Sequence, residues 1–269
     1  RGQAYSLALT KENRYLIIGC ADHEIKVYSL FEEKIEAVLR GHEDCVFGVR
    51  VTSDGKYVVS CSIDNSIRIW NLQSMKEERL LVEHTSAVYS IALTSDDNYL
   101  AFGSGYGTVG LCSLNTKNQE ILIDGHNTNS QVRSVHFSKT GHYMFTGSTD
   151  ENFKIWKISE HPDEKIYEEN TTRVNDVAVS PGSNFLASVS EADNRLLVWK
   201  DWDKEDILDI DGLTGSIHCV IFTNDNEKCI TGSSDSTIRI LSLRDESEIL
   251  YFDDHESGVI SLCISSDDR

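Results

Sequence analysis

His42, Ser60 and Asp64 are the residue types of a hydrolytic triad, in which a histidine held by a carboxylate activates a hydroxyl as nucleophile. The same three chemical roles return in His126, Thr146 and Asp150. That recurrence argues against catalysis, because a reactive centre needs to occur once whereas a structural device is repeated. The glycine-rich run Gly103 to Gly110 (GSGYGTVG) has a faint likeness to a phosphate loop. It lacks a correctly placed lysine and a following helix, so Gly105 and Gly107 are expected to serve a turn. The seven cysteines (Cys20, Cys45, Cys61, Cys112, Cys219, Cys229 and Cys263) are odd in number and include no C-x-x-C pair. They suit free, mostly buried thiols in a reducing compartment better than a disulfide framework or a zinc site. His136 with His142, and His218 with Cys219, are isolated pairs that strand or turn positions explain. No catalytic group, cofactor or metal ligand set is expected.

The elements that must position these residues come from a repeat. VFGVRVTSDGKYVVSCS from Val46 aligns with segments starting at Ala4, Val88, Val132, Val174 and Ile217, and with a shorter one at Val259. The starts at 4, 46, 88, 132, 174, 217 and 259 are separated by 42, 42, 44, 42, 43 and 42 residues. Each unit reads as four short strands. Val49 and Val51 share one face of the first strand, at the period of two that strands impose. A polar turn (SDGK in the second unit) leads to a strand from Tyr57 to Ser62. A tight turn at Asp64 leads to a third from Ser66 to Leu72, and a fourth covers Glu78 to Val82. No segment sustains a 3.6-residue period, so helices should be nearly absent. Four strands per unit at this spacing predict an all-β propeller of antiparallel blades. The third position of the first strand is held by Ser6, Gly48, Ser90, Ser134, Asp176, Cys219 and Ser261. These are mostly small, as converging innermost strands require.

Composition bounds the function. The 269 residues carry 25 basic and 44 acidic side chains, a formal net charge of −19. A basic face able to displace counterions is what nucleic acid demands, and anionic lipid asks the same; the charge argues against both. At 39% apolar residues the chain is too hydrophobic for a disordered acidic tail, and it has no apolar run long enough to span a bilayer.

In the second unit Gly41-His42, Ser60, Asp64 and Trp70 stand at the spacing of the WD-repeat family, which the chain resembles over essentially its whole length. The resemblance implies that His42, Ser60, Asp64 and Trp70 form a buried hydrogen-bonded tetrad inside one blade, and that His126, Thr146, Asp150 and Trp156 form another. The other units depart. The third keeps His84 but has Phe102, Tyr106 and Cys112; the fifth has Ser188, Asp193 and Trp199 with no histidine. The sixth keeps Thr231 and Asp235 with Leu241 at the Trp position; the first has Asp22 and Tyr28, and the seventh Asp254-His255. The reading is one propeller over residues 1–269, six full repeats and the first strand of a seventh. Both ends fall inside a repeat, as expected of a fragment of a seven-bladed or longer array. A six-bladed ring would instead close by pairing the Val259 strand with the Tyr15 strand, displacing Ala4 to Thr10.

The resemblance further implies a non-catalytic scaffold that binds a protein or peptide on the face carrying the turn between second and third strands. The residues expected to point there include Tyr5, Phe47 and Tyr89 on consecutive units, Ile63 and Tyr106 beside them, Arg133 and Arg173 on the next two, and His218. Aromatics next to arginines have the make-up of a peptide hot spot; the same aromatics would also serve to cover the channel mouth. A reader of phosphorylated or otherwise modified peptides through Arg133 and Arg173 is the alternative, and a propeller enzyme a more distant one. No nucleic acid, membrane or small-molecule substrate is expected, and a cytoplasmic or nuclear location is. Acids cluster between Glu160 and Asp211, largely in fourth strands and their flanks. Edge protection on the outer rim is the favoured reading, docking of a basic partner with Trp202 as anchor the other.

Overall fold

The computed structural model describes residues 2–114, 120–158, 164–167, 172–192, 194–202, 207–210, 213–245, 247–265 and 268, with the side chains of 82, 83, 120, 124 and 164–167 left aside. Among these residues twenty-four strands form six antiparallel four-stranded sheets, each sequential in order. Blade one comprises Ala4–Leu9, Tyr15–Cys20, Ile25–Ser29 and Lys34–Leu39. The innermost strands of the other five are Val46–Val51, Val88–Leu93, Val132–Phe137, Val174–Val179 and Ile217–Phe222. The protein is an all-β propeller of six such blades, with one 3₁₀ turn at Gly105–Gly107 and no α-helix among the described residues.

The first polar turn of every blade is locked in one way. A hydroxyl at the end of the innermost strand (Thr10, Thr52, Thr94, Ser138, Ser180 or Thr223) accepts the N–H five residues on, at 2.9–3.1 Å. Between them the backbone passes through positive φ, at Gly55 (70°), Gly141 (72°) and Asn226 (60°) among others. Glycine and asparagine tolerate that region best, which accounts for their place in the turns SDGK, KTGH and NDNE.

The core lies between blades. Val46, Val49 and Trp70 of blade two pack with Ile17 and Ile25 of blade one, and the same pattern runs around the ring. Neighbouring blades are also stitched by the third-position column. Ser6 Oγ accepts the Val49 N–H at 3.1 Å, Ser90 Oγ that of Val135 at 3.1 Å, and Ser134 Oγ that of Val177 at 3.2 Å. Asp176 Oδ2 accepts the Val220 N–H at 3.0 Å. Small size is therefore half the explanation of this column; an acceptor for the next blade's amide is the other half.

Residues 259–265 form no strand, yet they stand between blade six and blade one. The Leu7 N–H donates to Ser261 Oγ at 3.1 Å, and the Val259 N–H to the Ser233 carbonyl at 2.9 Å. Val259 sits against Gly232 as Val46 sits against Gly19. Ala4–Leu9 pairs with Tyr15–Cys20, so the six-bladed closure that displaces Ala4 to Thr10 does not occur. The outer strand of blade six, Glu248–Phe252, is exposed along its length.

Candidate functional site

In all six blades the pairing of the first two strands slips by one residue near the start of the innermost strand. The skipped residues are Tyr5, Phe47, Tyr89, Arg133, Asn175 and His218. A bulge of this kind leaves one residue out of the ladder and re-aims its side chain. The bulge thus presents one side chain per blade at the end of the channel where the turns between second and third strands also lie. Those turns are tied to the same strands, as in the Ile63 N–H to Cys45 carbonyl bond (3.1 Å) and the Gly105 N–H to Ala87 carbonyl bond (3.0 Å).

Four bulge residues form a continuous row. The Tyr5 and Phe47 rings stack at 4.5 Å and 13°, Phe47 meets Tyr89 edge-on at 5.5 Å, and the Arg133 guanidinium lies over Tyr89 at 5.3 Å. Each ring pair is worth roughly 0.5–1.5 kcal/mol beyond its burial, and the contacts hold the row in one arrangement. The three rings are half-buried and Arg133 is exposed. Tyr106 stands on the adjacent 3₁₀ turn, 67% exposed with φ of 60°, and Ile63 is half-buried on its own turn. His218 faces the same mouth; burial chiefly pulls its pKa down, Glu191 opposes and Arg133 adds to the fall. Arg173 does not join the row, since its guanidinium lies 3.5 Å from Glu191. Asn175 donates from Nδ2 to the Ile217 carbonyl at 2.9 Å.

The triad-like residues are joined in triad order, with a tryptophan added on the hydroxyl. The His42 Nδ1–H donates to Asp64 Oδ2 at 2.8 Å, Ser60 Oγ–H donates to His42 Nε2 at 2.7 Å, and the Trp70 Nε1–H donates to Ser60 Oγ at 2.8 Å. The carboxylate accepts only, which assigns the histidine tautomer. Blade four has the same chain through Asp150, His126, Thr146 and Trp156, at 3.0, 2.8 and 2.9 Å. Ser60 and Thr146 are fully buried, and their hydroxyls are already engaged on both sides. Blade three solves the position apolarly. Phe102 replaces the hydroxyl, is fully buried and meets His84 edge-on at 5.4 Å. In blade six Asp235 bonds Thr214 and lies 3.4 Å from Arg239 instead of a histidine. Asp193 of blade five lies outside the described residues, and His255 is exposed.

Burial raises the pKa of Asp150, but its hydrogen bonds from His126, Asn127 and Asn152 outweigh this and hold it at about 2. Asp235 is likewise held at about 2 against burial, by bonds from Thr214 and Thr237, and Asp64 lies lower still. A depressed carboxylate contributes stability that is complete above its unfolded pKa of about 3.9 and is lost as pH falls through the folded value. Urea midpoints should therefore fall between about pH 4 and pH 2. The fall should be shallower in Asp150→Asn; identical slopes would contradict the assignment.

Of the acidic cluster, Glu160, Asp163, Glu168, Glu169, Asp193, Asp203, Glu205, Asp206 and Asp211 lie outside the described residues, as does the Glu164 side chain. Asp176 is not on the rim but in the innermost strand, where Ser134 and Val220 bond it. Asp209 pairs with Arg195. Trp202 is no exposed anchor: its ring packs on Tyr143 and Phe145 at 4.9 and 5.3 Å. The cysteines form no disulfide; five are buried, with burial pushing Cys61 and Cys229 up to about 12. Among the described residues no helix is long and apolar enough to cross a membrane.

Four-stranded blades at this period, two of them carrying the His–Ser/Thr–Asp–Trp chain, define a WD-repeat β-propeller. More narrowly, the chain belongs to the family described as the IFT122 first beta-propeller, whose model matches residues 3–269. Among curated proteins it is similar to WD repeat-containing protein 82 of Drosophila melanogaster, 34% identical over 103 residues (38% of this chain, 32% of that protein). It is also similar to the WD repeat-containing protein 91 homolog of Dictyostelium discoideum, at 28% over 148 residues (52% and 19%). Mouse WD repeat-containing protein 90 matches at 26% over 121 residues (42% and 6%). The matched stretch thus spans about a third of the first relative and less of the other two.

Proposed function

We propose that this propeller is a non-catalytic scaffold that binds a protein or peptide across the bulge-bearing end of its channel. Membership of a WD-repeat family supports the general class. The observation that carries the specific surface is the row Tyr5, Phe47, Tyr89 and Arg133, four large side chains held in mutual contact across four consecutive blades. Pre-ordered aromatics and an arginine lose little entropy on binding and are the residue types in which binding energy concentrates. The tetrads have no reactive part in this reading: they recur, and their hydroxyls are sealed from substrate. Residues 259–265 supply a seventh inner position, which supports a seven-bladed ring.

The test is a peptide selected on the immobilised protein from a random display library. Phe47→Ala with Tyr89→Ala should weaken its binding roughly thousandfold, at hot-spot losses of about 2 kcal/mol each, with the melting curve retained. Unchanged affinity would remove this surface from consideration.

A further inference from the structure

We propose that Arg50 makes the channel behind the aromatic row a receptor for an oxyanion, a phosphate or carboxylate group carried by the bound ligand. Arg50 lies at the fifth position of its innermost strand. The same position in the other units holds Ala8, Ala92, His136, Ala178, Ile221 and Cys263. The fold therefore does not require a cation there; the charge occurs once, unlike the tetrads.

The guanidinium is short of partners. It lines a channel of about 340 Å³ and is enclosed by protein on its flanks while keeping some contact with channel water. Burial pulls its pKa down, and the Asp176 carboxylate opposes that from elsewhere in the channel. A guanidinium does not discharge by losing its proton in a protein, so a desolvated one is left seeking an anion. Among the described residues Arg50 donates one hydrogen bond, from Nη1 to the Val49 carbonyl at 2.9 Å, of the five N–H groups an arginine carries. No carboxylate among the described residues lies within ion-pair distance of it.

Asp176 is the acid that would be expected to pair with it, and it is already committed. Its Oδ1 accepts from Ser134 Oγ at 2.6 Å and lies 3.8 Å from His136 Nε2, and its Oδ2 accepts the Val220 N–H. Those bonds join three blades and keep the carboxylate on its own wall. Arg133 lines the same channel at its mouth. Two arginines against one engaged carboxylate leave the channel positive inside a chain of net charge −19. Low dielectric strengthens the pull on an anion there, and the planar fork matches a phosphate or carboxylate.

How the anion arrives rests on the binding face proposed above, because Phe47 and Tyr89 line the channel's entrance. The experiment is independent of that face. Inorganic phosphate, and separately acetate, is titrated into the intact protein at constant ionic strength. The Nε–Hε resonance assigned to Arg50 and the melting midpoint are followed. A saturable resonance shift and a rising midpoint are expected for at least one anion. A larger effect of phosphate points to a phosphoryl group, and an equal or larger effect of acetate to a carboxylate. Arg50→Gln should melt above the parent, since an uncompensated cation is removed, and should lose the anion-dependent rise. Lack of a saturable shift with either anion overturns the proposal, as does a rise undiminished in Arg50→Gln. An unresponsive channel with display-peptide binding intact would defeat the anion site alone; the converse would defeat the aromatic face alone.

Discussion

Asp64→Ala lowers the melting midpoint by roughly 6–12 °C, the equivalent of about 3 kcal/mol in a domain of this size. The carboxylate accepts four hydrogen bonds: from His42 Nδ1 at 2.8 Å, the Glu43 N–H at 2.9 Å, the Ser66 N–H at 2.9 Å and Ser66 Oγ at 2.6 Å. Removing it orphans the His42 and Ser66 donors, which are buried, and a buried unmet donor costs about 1–3 kcal/mol. The damage also propagates. His42 loses the partner that sets its tautomer, so its Nε2 no longer offers Ser60 an acceptor, and Ser60 is what holds the Trp70 indole. Trp70 packs in the cluster joining blades one and two, so the loss should be felt across that interface. Calorimetry of Asp64→Ala and Asp150→Ala checks this. Two unchanged melting curves would mean that the chains of hydrogen bonds contribute nothing net.

Gly110→Ala should be as damaging, by about 3 kcal/mol or more, at the upper end of overpacking costs. A Cβ at Gly110 would lie 2.0 Å from Phe102 Cζ. Phe102 fills the site where blades two and four place a tetrad hydroxyl, and its ring is buried against His84. It has nowhere to retreat. The two residues are one solution: the aromatic fills the blade and the glycine makes room for it. The check is a double-mutant cycle. In a Phe102→Leu background, Gly110→Ala should cost close to nothing, because the leucine falls short of the clash. Equal costs in both backgrounds would show that the glycine serves its backbone instead.

Much of this protein was legible without coordinates. The period of 42–44 residues, the four strands per unit and the turn residues are local patterns. A strand's alternation and a turn's positive φ are set by residues within a few positions of each other. The tetrad types could be named because each set lies inside one blade. The placements on which the proposed binding face rests are not local in this sense, and the residues on it could be named only through the family resemblance. The bulge that aims Phe47 and Tyr89 is a property of pairing between strands, and its only sequence trace is a large side chain after the first valine. The serine column reads as small residues packing closely, yet its hydroxyls serve amides some 43 positions away in the next blade. Trp202, in an acidic stretch, looks exposed in sequence and is drawn onto Tyr143 and Phe145 by apolar burial. Arg50 reads as one polar residue in an alternating strand; only ring closure puts it in a channel where the Asp176 carboxylate is already bonded to the wall. Periodicity thus determined the blade, and contacts one repeat or more apart decided which residues the ring leaves free to act.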